Sequence, residues 1–276
     1  MELGGDCMNT KLDNIKMIFI DIDGTLYNTE KQVTEYTKNI LNIVKDKGIY
    51  VVLCSGRSNK DVCEISKDVN ASKYVISSNG ALVYNYVDDL DIFESVMEKE
   101  SLEKMWTLCE NEKKWELIIE SKEQVYINEL MFRRRPERFI KIDKIDDISN
   151  KNIFQMVLNI EESEKGDKVK EILEKEEKIW APNYGVGVTC AFFDINNKNI
   201  DKGIGIKHLI ENLGIKKEET IGFGDGVNDL AMFRECGIGV AMGNAEEKLK
   251  DMADYITQTN DEHGVAKFIE KYILDK

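Results

Sequence analysis

Lys16-Met17-Ile18-Phe19-Ile20-Asp21-Ile22-Asp23-Gly24-Thr25-Leu26 holds an apolar run of four residues, Met17 to Ile20, that breaks off in two acids and a glycine. A short, continuous apolar run bounded by turn signals reads as a strand buried on both faces. Its last residues then stand at the strand's C-terminal end. In an open α/β sheet the ligand crevice lies outside the carboxyl ends of the strands. Asp21 and Asp23 are two apart and project to one side of an extended chain. One such acid can attack as a nucleophile while the other carries a proton. Two carboxylates this close repel each other unless a cation lies between them, and Mg²⁺ takes few carboxylates together with phosphate oxygens. A calcium loop is the competing reading. It needs Gly at position 6 and Glu at position 12, where this chain has Leu26 and Gln32.

Working outward, Thr34 to Lys47 carries Tyr36, Ile40, Ile43 and Val44 at helical spacing, with Gly48 as the stop. Residues 49–54 (IYVVLC) form a second buried strand, 58–68 a helix, and 74–78 (YVISS) a third strand. Strand–helix–strand–helix–strand predicts a parallel sheet with right-handed crossovers. The last third repeats the style. Ile206, Leu209, Ile210 and Leu213 mark one helix face, followed by strand 220–224, a helix from about 228 to 234, short strands at 238–242 and 254–257, and a closing helix from 265 to 273.

A second acidic motif follows strand 220–224: Gly222-Phe223-Gly224-Asp225-Gly226-Val227-Asn228-Asp229. Its glycines permit a tight turn. Asp225 is placed to bind a metal and Asp229 to be a ligand or to support one. The competing reading is a charged turn with an ordinary helix cap.

Composition narrows the classes. The 276 residues carry 38 Lys and Arg against 52 Asp and Glu, a net charge of −14. A general nucleic-acid binder should show a basic footprint, and an anionic membrane would repel this chain. A local cluster of cations and a metal still allow an anionic small substrate. No apolar run reaches the length of a membrane-spanning helix, and Met1 to Asn14 has no apolar signal-peptide segment. Residues 1–7 read as a frayed extension, since Met8 could equally be a start. The six cysteines are scattered without a CxxC pair, which reads as reduced thiols in the cytoplasm. His208 and His263 are the only histidines, too few for a zinc site or most Ser-His-Asp schemes.

The two acidic motifs together resemble the haloacid dehalogenase-like (HAD) superfamily of phosphotransfer enzymes. The intermediate signals fall in matching order: Cys54-Ser55-Gly56-Arg57 after the second strand, and Lys202 in IDKGIGIKHL. The segments SSNGALVY (77–84) and NDEHGVAKFI (260–269) are similar to the Cof-type phosphatase branch. The resemblance implies a Rossmann-like α/β core with a parallel sheet flanked by helices, plus an inserted α+β cap domain. Spacing independently locates the insertion. Asp21 and Ser55 are 34 residues apart, enough for one crossover, whereas Ser55 and Lys202 are 147 apart, leaving about 100 beyond the core's needs. The expected division is 1–83 and 195–276 for the core and 84–194 for the cap, with hinges near Val83–Tyr84 and Asp194–Asn196.

The roles implied by the resemblance are these. Asp21 is the nucleophile and forms an aspartyl-phosphate. Asp23 is the general acid and then the base, and its backbone carbonyl joins Asp21, Asp225 and Asp229 around Mg²⁺. Ser55, the amides of Ile22 and Gly56, Lys202 and Asn228 hold the phosphate. Arg57, Asn79 and Gly80 are further candidates for substrate contact. The implied activity is Mg²⁺-dependent hydrolysis of a small phosphorylated metabolite of the sugar phosphate, pyridoxal phosphate or FMN class. A sugar phosphomutase stays open through the basic cluster Arg133, Arg134, Arg135 and Arg138, which otherwise reads as a solvated charge run. A non-catalytic phosphometabolite-binding module is the third reading, opposed by the intact acids. His208 is expected to be exposed, His263 at most at the cleft edge, Cys54 buried, and Trp106, Trp115 and Trp180 in the cap core. The oligomeric state is not legible.

Overall fold

In the computed structural model, residues 12, 14–110, 112, 115–128 and 138–275 are described. The expectations for residues 1–7 and for Arg133, Arg134 and Arg135 lie outside them. The strands are β1 (Met17–Ile20), β2 (Tyr50–Cys54), β3 (Tyr74–Ser77), β4 (Leu82–Asn85), β5 (Leu90–Glu94), β6 (Trp115–Ser121), β7 (Val125–Ile127), β8 (Ile140–Lys141), β9 (Ile153–Ile160), β10 (Ile179–Val186), β11 (Ala191–Asn197), β12 (Thr220–Gly224), β13 (Ile238–Ala241) and β14 (Tyr255–Ile256). They form two sheets, ordered β14-β13-β12-β1-β2-β3-β4-β5 and β10-β11-β9-β6-β7-β8.

The first sheet is parallel from β14 to β3, with β1 in the middle between β12 and β2. All four β1 residues are buried, as a continuous apolar run requires once helices cover both faces. Crossover helices begin where short polar side chains cap them. Thr34 accepts from the Thr37 amide before helix Glu35–Asp46, and Ser58 from the Asp61 amide before helix Asn59–Asp68. Asp201 does the same for the Ile204 amide at helix Lys202–Leu213. The fold is therefore α/β with helices flanking a mainly parallel sheet, joined to a second α+β layer.

The boundary at 83/84 falls inside β4, because β4 and β5 pair antiparallel onto β3 and carry the first sheet on to Glu94. The boundary at 194/195 falls inside β11. Between β10 and β11 the chain turns back after Val186, where the Gly187 amide donates to the Cys190 carbonyl. Each sheet has its own apolar cluster, and a small third one of Ala81, Leu82 and Phe154 lies at the seam.

Candidate active site

Asp21 continues β1 by one residue, its amide donating to the Phe223 carbonyl of β12 at 3.0 Å. The chain then reverses over residues 22–26, with Gly24 at φ +78°. A Cβ on Gly24 would stand 2.2 Å from Asp225 Oδ2, so only glycine lets this turn approach the second acidic motif. Thr25 Oγ1 completes the clasp by donating to Asp225 Oδ1 at 2.9 Å.

Lys202 opens its helix with the side chain fully buried. Its Nζ donates to Asp21 Oδ1 at 2.5 Å and to Asp229 Oδ1 at 2.6 Å. The other Asp229 oxygen accepts from the Asp225 and Gly226 amides at 3.0 and 3.1 Å. Both Asp229 oxygens thus have donors, which fits a group that orients Lys202 and the 225–226 turn. Burial pushes the Asp21 carboxyl well up, with Lys202 pulling the other way. Burial also opposes the Lys202 ammonium, but Asp21 and Asp229 outweigh it and hold its proton above lysine's usual range. Burial, then the neighbouring Asp229 charge, raises Asp225 to about 6.

Ligand oxygens of Asp21, Asp225 and Asp229 lie within 4.8 Å of one another. Three carboxylates against one ammonium leave two negative charges uncompensated in a largely buried place. Hard oxygen donors and that charge deficit fit a divalent cation of the Mg²⁺ type.

Asp23 stands outside this cluster. Arg57 grips it with both arms of the guanidinium, Nε to Oδ2 and Nη2 to Oδ1 at 2.6 Å each, and also lies 5.3 Å above the Tyr27 ring. Ser55 follows β2, its amide held by the Ile76 carbonyl. In front of these groups is a cavity of about 400 Å³, the size range of small-ligand sites. From the first sheet it is lined by Asp21, Asp23, Ser55, Gly56, Arg57, Asp225 and Asn228, and from the second by Glu120, Arg138, Val157, Asn183 and Asp194. Lys202, Asp229 and Ile22 are buried behind that lining.

Against this geometry, a sequence profile of haloacid dehalogenase-like hydrolases matches residues 18–269. The chain belongs to that family. A 5-amino-6-(5-phospho-D-ribitylamino)uracil phosphatase of Bacillus subtilis, YcsE, is 30% identical over 261 residues, covering 95% of this chain and 97% of its own. A solved haloacid dehalogenase-like hydrolase from B. subtilis superposes with TM-score 0.80 at 26% identity, covering 94% of this chain and 100% of its own. The HAD subclass IIB sugar phosphatase BT4131 gives 0.78 at 29% identity, covering 94% and 99%.

In this haloacid dehalogenase-like hydrolase some weaker sequence candidates fall elsewhere. Asn79 and Gly80, read as a substrate-facing loop, do not line the cavity. Asn79 is 1% exposed, and its amide donates to Gln155 Oε1 at 2.9 Å and Asp194 Oδ2 at 3.1 Å. Ser78, Asn79 and Gly80 all have positive φ, at 48°, 52° and 94°. A Cβ on Gly80 would meet the Asp201 carbonyl at 2.1 Å. His208, expected to be exposed, instead stacks on Phe93 of β5 with 3.9 Å between centroids. His263 packs edge-on against Tyr36, away from the cavity lining. Cys54, Trp106 and Trp115 are buried as expected, while Trp180 is only partly buried and borders a separate cavity. Arg138 pairs with Asp61 at 2.5 Å.

Sequence reasoning missed Glu120, Gln155, Asn183 and Asp194. A signal existed for one of them: Glu120 directly follows the apolar run Leu117-Ile118-Ile119, where a charge is out of place unless it faces a polar cavity.

Proposed function

We propose that the protein is a Mg²⁺-dependent phosphatase that hydrolyses a small phosphorylated metabolite, of the sugar phosphate, pyridoxal phosphate or FMN class, through an aspartyl-phosphate on Asp21. One observation carries this reading. The Asp21 carboxylate ends the central strand at the wall of a metabolite-sized cavity, held by a buried lysine and joined by a second acid pair from 200 residues away. Named relatives with phosphatase activity support it.

In this mechanism an Asp21 carboxylate oxygen attacks phosphorus, the bond from phosphorus to the leaving oxygen breaks, and Asp23 gives that oxygen a proton. Asp23 then takes a proton from water. The water oxygen attacks the aspartyl-phosphate, inorganic phosphate leaves, and the Asp21 carboxylate returns. Arg57 fixes the orientation of Asp23. Ser55, the Ile22 and Gly56 amides, Lys202 and Asn228 hold and neutralise the phosphate oxygens, since phosphoryl transfer is mostly positioning and charge balance. Asp21, Asp225 and the Asp23 backbone carbonyl would hold Mg²⁺, which supplies further charge neutralisation. Asp229 serves Lys202. Residues 95–197 act as a cap over the cleft on a core of 14–94 and 198–275. A cytoplasmic setting is supported by the thiols, free among the described residues.

The test is phosphate release from a panel of phosphorylated metabolites with Mg²⁺ and with chelator, using Asp21→Asn as the blank. Release is expected to require Mg²⁺ and to fall at least about 10³-fold in the variant. Full activity in Asp21→Asn would reject the covalent route, and hexose phosphate isomerised without net release would favour a mutase.

A further inference from the structure

The second sheet turns one face to its own core and the other to the cleft. Leu117 and Ile119 of β6, Met156 and Leu158 of β9, and Phe193 and Ile195 of β11 fill the core. The alternate residues of the same three adjacent strands, Glu120, Gln155, Val157 and Asp194, point the opposite way. Register pairs Glu120 with Gln155, and Val157 with Asp194.

Two acids of this face that line the cleft are more than nine-tenths buried, Glu120 at 6% exposed and Asp194 at 9%. Each has one oxygen anchored by neutral donors. Glu120 Oε2 accepts from Ser78 Oγ and Gln155 Nε2, both at 3.2 Å. Asp194 Oδ2 accepts from Asn79 Nδ2 at 3.1 Å and Asn183 Nδ2 at 2.9 Å. The other oxygen of each, Glu120 Oε1 and Asp194 Oδ1, has no hydrogen-bond partner among the described residues, and both side chains line the cavity. Neither is in a salt bridge with a cation among the described residues, whereas Asp23 and Asp61 in the same lining are held by Arg57 and Arg138.

Acceptors that face a cavity are open to a ligand's donors, and a site built to bond a substrate group rejects ligands that lack it. Resting on the phosphatase reading above, we propose that Glu120 and Asp194 are specificity-determining residues: they take hydrogen bonds from hydroxyl groups of the phosphorylated substrate's leaving group and exclude a second anionic group there. A hydroxyl donates and accepts, and so suits either protonation state of this pair. A carboxylate or second phosphate only accepts, and it meets like charge in a site of low dielectric. The substrate class is then a monophosphate with an uncharged, hydroxyl-bearing remainder.

The test uses matched pairs assayed with Mg²⁺: glycerol 3-phosphate against 3-phosphoglycerate, glucose 6-phosphate against 6-phosphogluconate, and fructose 6-phosphate against fructose 1,6-bisphosphate. The readout is the ratio of kcat/KM within each pair, so a general loss of activity cancels. Wild type is expected to favour the neutral member at least about tenfold in the pairs it hydrolyses, chiefly through KM. Glu120→Gln and Asp194→Asn should each shrink that ratio by about fivefold or more. A merely structural role would lower both members and leave the ratio unchanged. Wild-type ratios near one, a preference for the anionic member, or unchanged ratios in both variants overturn the proposal. p-Nitrophenyl phosphate separates the two levels: its hydrolysis without discrimination removes this inference alone, and release from no compound removes the phosphatase reading as well.

Discussion

Lys202 has no exposed side-chain surface and holds its ammonium between Asp21 and Asp229. Removing one member of a buried ionic group leaves the others uncompensated. Lys202→Met is therefore expected to cost roughly 3–5 kcal/mol in denaturant unfolding, besides abolishing turnover. An unchanged unfolding midpoint would mean that the two carboxylates find other partners. Glu120 makes a contrasting prediction. Burial, with help from Asp194, pushes its carboxyl well up, so the folded protein binds a proton that the unfolded chain releases. Stability from this group is full below the ordinary glutamate pKa of about 4.3 and is lost as pH rises towards the raised folded value. Glu120→Gln removes the ionisable proton, so thermal melts should show the variant gaining on wild type from pH 5 to pH 8. A gap that stays constant, or closes, would contradict the assignment. Asp21, Asp23 and Asp225 were legible because their motif is local, a strand followed by acids and a glycine. Glu120 and Asp194 were not, because their partners Ser78 and Asn79 lie 42 and 115 residues away.

Elements were legible where apolar period and polar punctuation agreed. The parallel strands β1, β2, β3, β12 and β13 are short, largely apolar runs bounded within three residues by Asp, Gly or Ser, and the helix starts at Thr34, Ser58 and Asp201 are ordinary capping residues. The hairpin of β4 and β5 was not legible as part of the first sheet. Its second strand, LDIFE, is acidic and only half buried, and pairing with β4 rather than burial holds it there. The turn at 78–80 was legible as a turn but not as a clasp. Its three successive left-handed residues are maintained by contacts from the second sheet: Asn79 to Gln155 and Asp194, and Asn196 Nδ2 to the Ser78 carbonyl at 2.9 Å. Gly80→Ala places a methyl against the Asp201 carbonyl, directly beside Lys202. A loss of about 2–3 kcal/mol is expected, with turnover falling too as the lysine shifts. Wild-type stability in that variant would show that the helix start can move aside.

For the whole molecule, the two uncompensated charges at the base of the cleft predict coupling between cation and stability. A ligand that binds only the folded state at a hundredfold excess over Kd adds about 2.7 kcal/mol. In a chain of this size that is roughly 5–10 °C in Tm. Mg²⁺ should raise Tm on this scale, chelator should reverse it, and Asp225→Asn should abolish the response. A melt indifferent to Mg²⁺ would move the cation elsewhere.

The clasp of Gly24 and Thr25 on Asp225 also bears on synthesis. β1 emerges early from the ribosome, but one of its two neighbours, β12, begins only at Thr220. Until then an apolar strand has an open edge, the feature through which chains associate wrongly. The Asp21 carboxylate also lacks its distant partner Lys202. The protein therefore acquires its chemistry and loses its stickiest edge in the same late event, and a chain that stops short of Asp229 is expected to be both inert and prone to aggregation.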